Sequence, residues 1–138
     1  MTNRYTNLFE PFRIGECEIK NRFTMAPMGT LGMCNLDGTL NQNGIDYYVT
    51  RAKGGVGLIV TGLCFVENEI EKRHMPLFPC ATINPGNFIR TSSQLTERIH
   101  SYNAKIFLQL TAGFGRVAFP GILATNPVAP SAVENKWN

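Results

Sequence analysis

The sequence predicts an α/β fold in which parallel strands alternate with helices. Short apolar runs at 22–26, 56–61 and 104–110 have the length and composition of strands. Apolar residues recur at helical spacing in 42–53 and 88–102, between those runs. A helix between each pair of consecutive strands is typical of parallel strands joined by right-handed crossovers.

Length and composition indicate one domain with a substantial core. The chain has 138 residues, of which 43% are hydrophobic and only 17% are charged. The net charge of +3 is spread along the chain without a basic run, so no nucleic-acid partner is expected. The longest apolar stretch, 56–66, is too short to span a membrane, and the N-terminus lacks a signal-peptide pattern. We therefore predict a cytoplasmic protein without a membrane partner.

The cysteines and histidines do not form a metal-binding pattern. No two cysteines have Cys-x-x-Cys spacing, and His74 and His100 are isolated in the sequence. The four cysteines, Cys17, Cys34, Cys64 and Cys80, are predicted to be reduced structural thiols. His100 falls in a predicted helix and is expected at the surface.

The first predicted element is a small hairpin. Two short apolar pieces, Phe12-Arg13-Ile14 and Cys17-Glu18-Ile19, flank Gly15-Glu16, which favours a tight turn. We expect this hairpin to be a flap or plug rather than a central element.

The opening strand of the sheet is predicted at 22–26, short and buried. Pro27 ends it, because proline has no backbone N–H to donate to a neighbouring strand. The glycine-rich loop at 27–40 is long for a connection between a strand and a helix. Because ligands bind at the carboxyl ends of parallel strands, this loop is a candidate binding element.

The first helix has the expected end signals, and both helices have an apolar stripe. Asn41 or Asn43 can cap the first helix, and Gly54-Gly55 follows its last turn. Its predicted apolar stripe is Ile45, Tyr48, Val49 and Ala52, and that of the second helix is Ile89, Leu95 and Ile99.

The second and third strands differ in their polar residues. The run at 56–61 is continuously apolar, as expected for a strand buried on both faces, and is predicted to end at Gly62. The strand at 104–110 is interrupted by Gln109 near its carboxyl end. After it, 111–138 is predicted to be loop.

Two glycine-rich segments could be mistaken for phosphate-binding loops. Gly54-Gly55-Val56-Gly57 runs from a helix into a strand, which is the reverse of a phosphate loop. Gly113-Phe114-Gly115-Arg116 follows a strand, but no helix follows it. Both are interpreted as turns or bent loops.

Gln109 and Gly62 are the candidate residues on the second and third strands. A buried carboxamide has to satisfy its donors and its acceptor, so Gln109 either bonds neighbouring backbone or faces a planar ligand that offers both kinds of group. The pyrimidine edge of a flavin is such a ligand. Gly62 has no side chain, so a flat ring could approach the strand there. With Pro27, Met28 and Gly29, these residues predict a small flavin pocket at one end of the sheet.

Several motifs in order support a resemblance. They are Leu8-Phe9-Glu10-Pro11-Phe12-Arg13-Ile14-Gly15, Ile19-Lys20-Asn21-Arg22, Met25-Ala26-Pro27-Met28, Tyr48, Arg51-Ala52-Lys53-Gly54-Gly55-Val56-Gly57-Leu58-Ile59, Gln109-Leu110 with Gly115-Arg116, and Ala129-Pro130-Ser131. Together they resemble the old yellow enzyme family, and within it the 2-enoate reductase and 2,4-dienoyl-CoA reductase branch of NADH:flavin oxidoreductases.

The resemblance implies an eight-stranded TIM barrel that binds FMN at the carboxyl ends of its strands. The cofactor-binding residues it implies here are Pro27, Met28, Gly29, Gly62 and Gln109. It also implies reduction of an activated C=C bond in an enoate, enone or enoyl-CoA, with hydride from NAD(P)H by way of FMN. Some relatives have Thr or Cys in place of Gly29, and many have a histidine between the Gln-Leu and Gly-Arg motifs, where this chain has Thr111 to Phe114.

The length of the chain is short for such a barrel, which needs about 250 residues. We therefore expect 1–138 to be the N-terminal part, about three βα units, of a larger enzyme. Its implied partners are a small-molecule substrate and the remainder of its own barrel or another chain. The catalytic residues, a 4Fe-4S cluster and FAD are implied only for the longer parent.

The sequence leaves two other functional interpretations open. Another FMN barrel, such as a dihydrouridine synthase, has a similar Ala-Pro-Met opening, although the absence of a basic patch argues against it. A non-catalytic truncated module that pairs through an open sheet edge is the other.

Overall fold

The computed structural model describes residues 5–68, 77–113 and 131. They form a hairpin followed by three strands and two helices that alternate along the chain, so the predicted α/β class is confirmed. The hairpin consists of β1 (Phe12–Ile14) and β2 (Cys17–Ile19), which pair antiparallel. Gly15 makes its turn with φ of +56°, which glycine adopts without strain. A short helix that the sequence did not predict, α1 (Thr6–Phe9), precedes the hairpin.

The central sheet is parallel, as predicted, and its strands lie side by side in chain order. They are β3 (Thr24–Met25), β4 (Leu58–Phe65) and β5 (Lys105–Thr111). Met25 pairs with Ile59, and Ile59 pairs with Ile106 on the other side. These three residues pack towards the helices, so every second residue along β5 lies on the opposite, helix-free face.

The helices begin where side chains can cap them. In α2 (Gln42–Lys53), the Asn41 side chain accepts a 3.0 Å hydrogen bond from the Gly44 backbone N–H. Helix α3 (Pro85–His100) begins three residues earlier than predicted, because the Asn84 side chain caps it and Pro85 suits the first turn. His100 is exposed, as expected.

The core lies between the two helices and one face of the sheet. Its most buried members include Tyr48, Ile59 and Ile99, at 1%, 0% and 0% exposure. The stripe predicted for α2 is buried throughout. In α3 the prediction for Ile89 was wrong, because Phe88 takes the inward position and Ile89 is 66% exposed.

The predicted strands needed more correction than the helices. Strand β3 has two residues, and Thr24 is exposed because, among the described strands, β4 alone pairs with it. Strand β4 does not end at Gly62 but continues to Phe65, after a register shift between Val60 and Leu63. Residues 107–110 of β5 are exposed, since no described strand pairs with its second edge.

Some predictions fall outside the described ranges. The loop predicted after residue 113, including Gly115-Arg116, and the isolated His74 lie there. Within 5–68 and 77–113, none of the three helices has the length and hydropathy needed to cross a bilayer.

Candidate flavin site

The loop at 27–40 is ordered by its own side chains. The Asp37 carboxylate accepts hydrogen bonds from the Thr39 hydroxyl (2.7 Å) and the Thr39 backbone N–H (3.1 Å). The Asn87 amide, in the first turn of α3, donates to the other Asp37 oxygen. Thr39, Asn87 and the local backbone hold the pKa of Asp37 below its ordinary value. The loop is therefore tied both to itself and to a neighbouring helix.

The first part of the loop lies directly against β4. A Cβ built on Gly62 would clash with the Met28 carbonyl oxygen, and it would lie 2.8 Å from the carbonyl carbon and 3.0 Å from Gly29 Cα. Residue 62 must therefore be glycine for the loop to pass. The structure brings Met28, Gly29 and Gly62 together, although loop backbone occupies the space in which we expected a ring to approach.

Tyr48 of α2 lies where the loop at 27–40 meets β4. Its buried hydroxyl accepts a 2.9 Å hydrogen bond from the Gly62 backbone N–H, and the neighbouring Thr30 side chain lowers the pKa of the same hydroxyl. Burial has the larger effect and raises the pKa of Tyr48, so the phenol stays protonated at neutral pH. From the sequence, Tyr48 was predicted only as part of the apolar stripe of its helix and as one of the family motifs, and Thr30 was not singled out.

Gln109 lies next to this contact along the sheet. It pairs with Leu63, the residue after Gly62, and its backbone N–H donates to the Thr61 hydroxyl at 3.0 Å. The expectation of a buried carboxamide was wrong, because β5 is the edge strand of the sheet that the described residues form, and Gln109 is exposed. By alternation it points to the helix-free face, and its amide has no hydrogen-bond partner within the described ranges.

Phe78 closes the other side of the loop. Its ring carbon Cε1 would lie 3.1 Å from a Cβ on Gly29, and the ring packs against Phe65 with centroids 6.0 Å apart. Two backbone bonds hold this segment: Gly32 donates to Leu77 at 3.0 Å, and Cys80 donates to Gly38 at 2.9 Å. No feature of the sequence placed Phe78 beside Gly29.

An apolar cavity lies between the sheet and α3. Its volume is about 120 Å³, and its walls include Phe88 and Leu95 of α3 with Ile106 and Leu108 of β5. These residues are on the helix side, opposite Gln109. Tyr48, Thr61 and Gly62 also line it, so the cavity reaches the Gly62 contact from the helix side, whereas Gln109 is not among its walls.

The thiols show no sign of a metal centre in the described residues. In that part of the chain no two cysteines form a disulfide, and no cluster of three or more potential ligands occurs. Burial raises the pKa of the Cys64 thiol to about 12, with a smaller contribution from Cys80. Cys64 is thus an unreactive core thiol at neutral pH.

With this geometry established, comparison with known proteins identifies the family. A sequence model described as the NADH:flavin oxidoreductase / NADH oxidase family matches residues 7–136. The chain belongs to this family. The old yellow enzyme resemblance is thereby confirmed, and flavin oxidoreductase relatives account for its motifs.

Two curated relatives show how far the similarity extends. A cinnamate reductase from Clostridium sporogenes is 56% identical over 137 residues, which cover 99% of this chain and 21% of the relative. An NADH oxidase from Thermoanaerobacter brockii is 41% identical over 132 residues, covering 94% of the chain and 19% of the relative. The chain thus spans about a fifth of these proteins.

Solved structures agree on the fold. The old yellow enzyme homologue from Zymomonas mobilis has a TM-score of 0.72 at 30% identity, covering 92% of this chain and 34% of that protein. The old yellow enzyme from Trypanosoma cruzi has a TM-score of 0.68 at 25% identity, covering 86% and 30%. The three strands and two helices therefore correspond to the N-terminal part of a TIM barrel.

The described residues fit a flavin ring. Residues 27–29 are exposed beside β4, and on the adjacent strand Gln109 carries a planar amide that has no hydrogen-bond partner among the described residues. A ring whose edge offers donors and acceptors in one plane matches that amide. The assignment of individual residues to the cofactor remains a prediction.

Proposed function

We propose that the chain forms one wall of an FMN site in a flavin-dependent oxidoreductase that reduces an activated C=C bond with hydride from NAD(P)H. The observation that carries the proposal is the contact of 28–29 with Gly62, beside the exposed amide of Gln109. Membership of the NADH:flavin oxidoreductase family supports a flavin as cofactor and a nicotinamide as reductant. The 56% identity to a cinnamate reductase supports an enoate, enone or enoyl-CoA as substrate.

Each residue has a distinct proposed role. The backbone of Pro27, Met28 and Gly29 would border the ring, and Gly62 would hold that backbone in place. The Gln109 carboxamide would donate to and accept from the pyrimidine edge. FMN, when bound, supplies the hydride chemistry, and the protein supplies binding and orientation. We assign no catalytic residue to this chain.

The exposed edge of β5 supports a proposal about partners. Phe107, Leu108 and Leu110 are 42%, 48% and 57% exposed, although they belong to a strand. An unpaired apolar edge favours pairing with a further strand. We propose that the remainder of its own barrel, of which 1–138 is the first part, or another chain covers this edge.

Two alternatives receive less support. A dihydrouridine synthase acts on RNA, and the sequence has no basic run to bind it. A non-catalytic module would use the same β5 edge but would have no need for an exposed amide beside a glycine-dependent loop contact.

The test is an anaerobic flavin titration of the purified protein reconstituted with FMN. We expect NADH or NADPH to bleach the visible flavin band, and cinnamate to restore it. A colourless protein that cannot be reconstituted with FMN would contradict the proposal. A flavin that NADH bleaches but that no enoate, enone or enoyl-CoA reoxidises would contradict the substrate class alone.

A further inference from the structure

We propose that Tyr48 is a positioning residue whose hydroxyl holds the segment 28–30 against β4. This contact would determine the shape of the loop wall. Its consequence for the flavin rests on the proposed function, whereas its effect on the loop does not.

The hydroxyl contacts both elements at the point where they meet. It accepts from Gly62 N–H at 2.9 Å, and it lies beside the side chain of Thr30, two residues beyond Met28, which lowers its pKa. Thr30 is 4% exposed, so this contact is shielded from water. Met28 itself lies over Gly62. One atom therefore bridges the strand and the loop beside their closest approach.

The backbone of β4 needs this acceptor. Gly62 lies between Val60 and Leu63, where the register with β5 shifts. A buried N–H at such a shift requires a partner other than the usual strand neighbour. The Tyr48 hydroxyl provides it, so the irregularity and the loop position depend on the same group.

The ring that carries the hydroxyl is itself held firmly. Tyr48 is 1% exposed and belongs to the core cluster on α2. It packs edge-to-face on Tyr47, with centroids 5.2 Å apart. The hydroxyl therefore has little freedom to follow the loop, and the loop has to adapt to the hydroxyl.

The first experiment uses amide hydrogen exchange in the 138-residue chain. Tyr48→Phe removes only the hydroxyl, and we expect the Gly62 amide to exchange about tenfold faster or more, because it loses its acceptor. The matched control is Tyr47→Phe, which removes a hydroxyl from the neighbouring, half-buried tyrosine and should leave Gly62 unchanged. Equal protection of Gly62 in wild type and Tyr48→Phe would overturn the proposal.

A second pair of variants tests the loop side. Thr30→Val removes the hydroxyl at similar volume, and Thr30→Ser keeps it. We expect faster exchange of the Gly62 amide in Thr30→Val and recovery of protection in Thr30→Ser. If both variants behave alike, the Thr30 hydroxyl does not position the loop.

The flavin readout separates positioning from general stability. In the reconstituted protein, we expect Tyr48→Phe to bind FMN about 3- to 10-fold more weakly, with a changed visible circular dichroism spectrum, and Tyr47→Phe to match wild type. Unchanged affinity and spectrum in Tyr48→Phe would overturn the flavin consequence. If wild-type protein binds no FMN, the proposed function fails, and the exchange measurement alone decides whether Tyr48 positions the loop.

Discussion

The Met28 carbonyl oxygen occupies the space that a side chain at residue 62 would need. A Cβ there meets backbone atoms rather than the end of a flexible side chain, so one of the two segments has to move. We expect Gly62→Ala to destabilise the chain by about 1–3 kcal/mol, as other overpacked sites do. Urea unfolding followed by circular dichroism would measure the change.

Gly86 offers a matched control for that substitution. It lies in the first turn of α3, and a Cβ there meets nothing within 4 Å. We expect Gly86→Ala to be neutral or to stabilise by about 0.4–1 kcal/mol, because alanine restricts the unfolded chain. Equal destabilisation by both substitutions would mean that the loop backbone does not exclude a side chain at residue 62.

Individual site residues were predictable from the sequence only where their chemistry was unusual for their position. Gln109 stood out as an amide in an apolar strand, and Gly62 as a glycine after one. Tyr48 and Phe78 did not, because apolar spacing explains an aromatic residue without reference to a site. Their contacts with Gly62 and Gly29 depend on how distant segments pack.

At the level of elements, Asp37 links the loop at 27–40 to α3. Its pKa is lowered in the folded state, so its contribution to stability is present above its ordinary pKa of 3.8 and is lost as the pH falls through the lower folded value. We expect Asp37→Asn to unfold at a lower temperature than wild type at about pH 6, since it loses charge-assisted hydrogen bonds. The difference in unfolding temperature between wild type and Asp37→Asn should disappear as the pH falls below about 4.

Thermal unfolding of both proteins across this pH range provides the measurement. Asn87→Ala removes the hydrogen-bond donor on α3, and in that background the difference in unfolding temperature caused by Asp37→Asn should be smaller. A difference between wild type and Asp37→Asn that does not vary with pH would show that the carboxylate charge is not involved.

Helices were predictable more closely than strands, for a physical reason. The bounds of α2 depend on Asn41 and Gly54-Gly55, which are local signals, and the structure has the predicted range. Strand ends depend on pairing with distant residues. Strand β4 continues beyond Gly62 because Leu63 pairs with Gln109, and no local feature of the sequence indicates that pairing.

For the whole molecule, the exposed edge of β5 has a consequence for assembly. We expect the 138-residue chain alone to self-associate as its concentration rises, because apolar side chains at 107–110 lie along an edge that pairs with no strand in the described part of the chain. Leu110→Lys should reduce the association seen by sedimentation velocity. Leu36→Lys is the control, since Leu36 is 86% exposed but lies in a loop.

A different result would contradict the proposed partners. A monodisperse monomer of 15.3 kDa that unfolds cooperatively would show that the chain needs neither the rest of a barrel nor a second chain. The α/β class was predictable from the alternation of strands and helices. The size of the complete assembly was implied by family resemblance, and composition carries no information about it.

FMN titration of the reconstituted protein shows whether Gln109 faces a flavin. Flavin fluorescence would be measured in wild type, in Gln109→Leu and in Gln94→Leu, which alters an exposed glutamine on α3. We expect Gln109→Leu to weaken binding by about 1–2 kcal/mol, or roughly 5- to 30-fold, and Gln94→Leu to have no effect. Equal FMN affinity in all three proteins would contradict the claim.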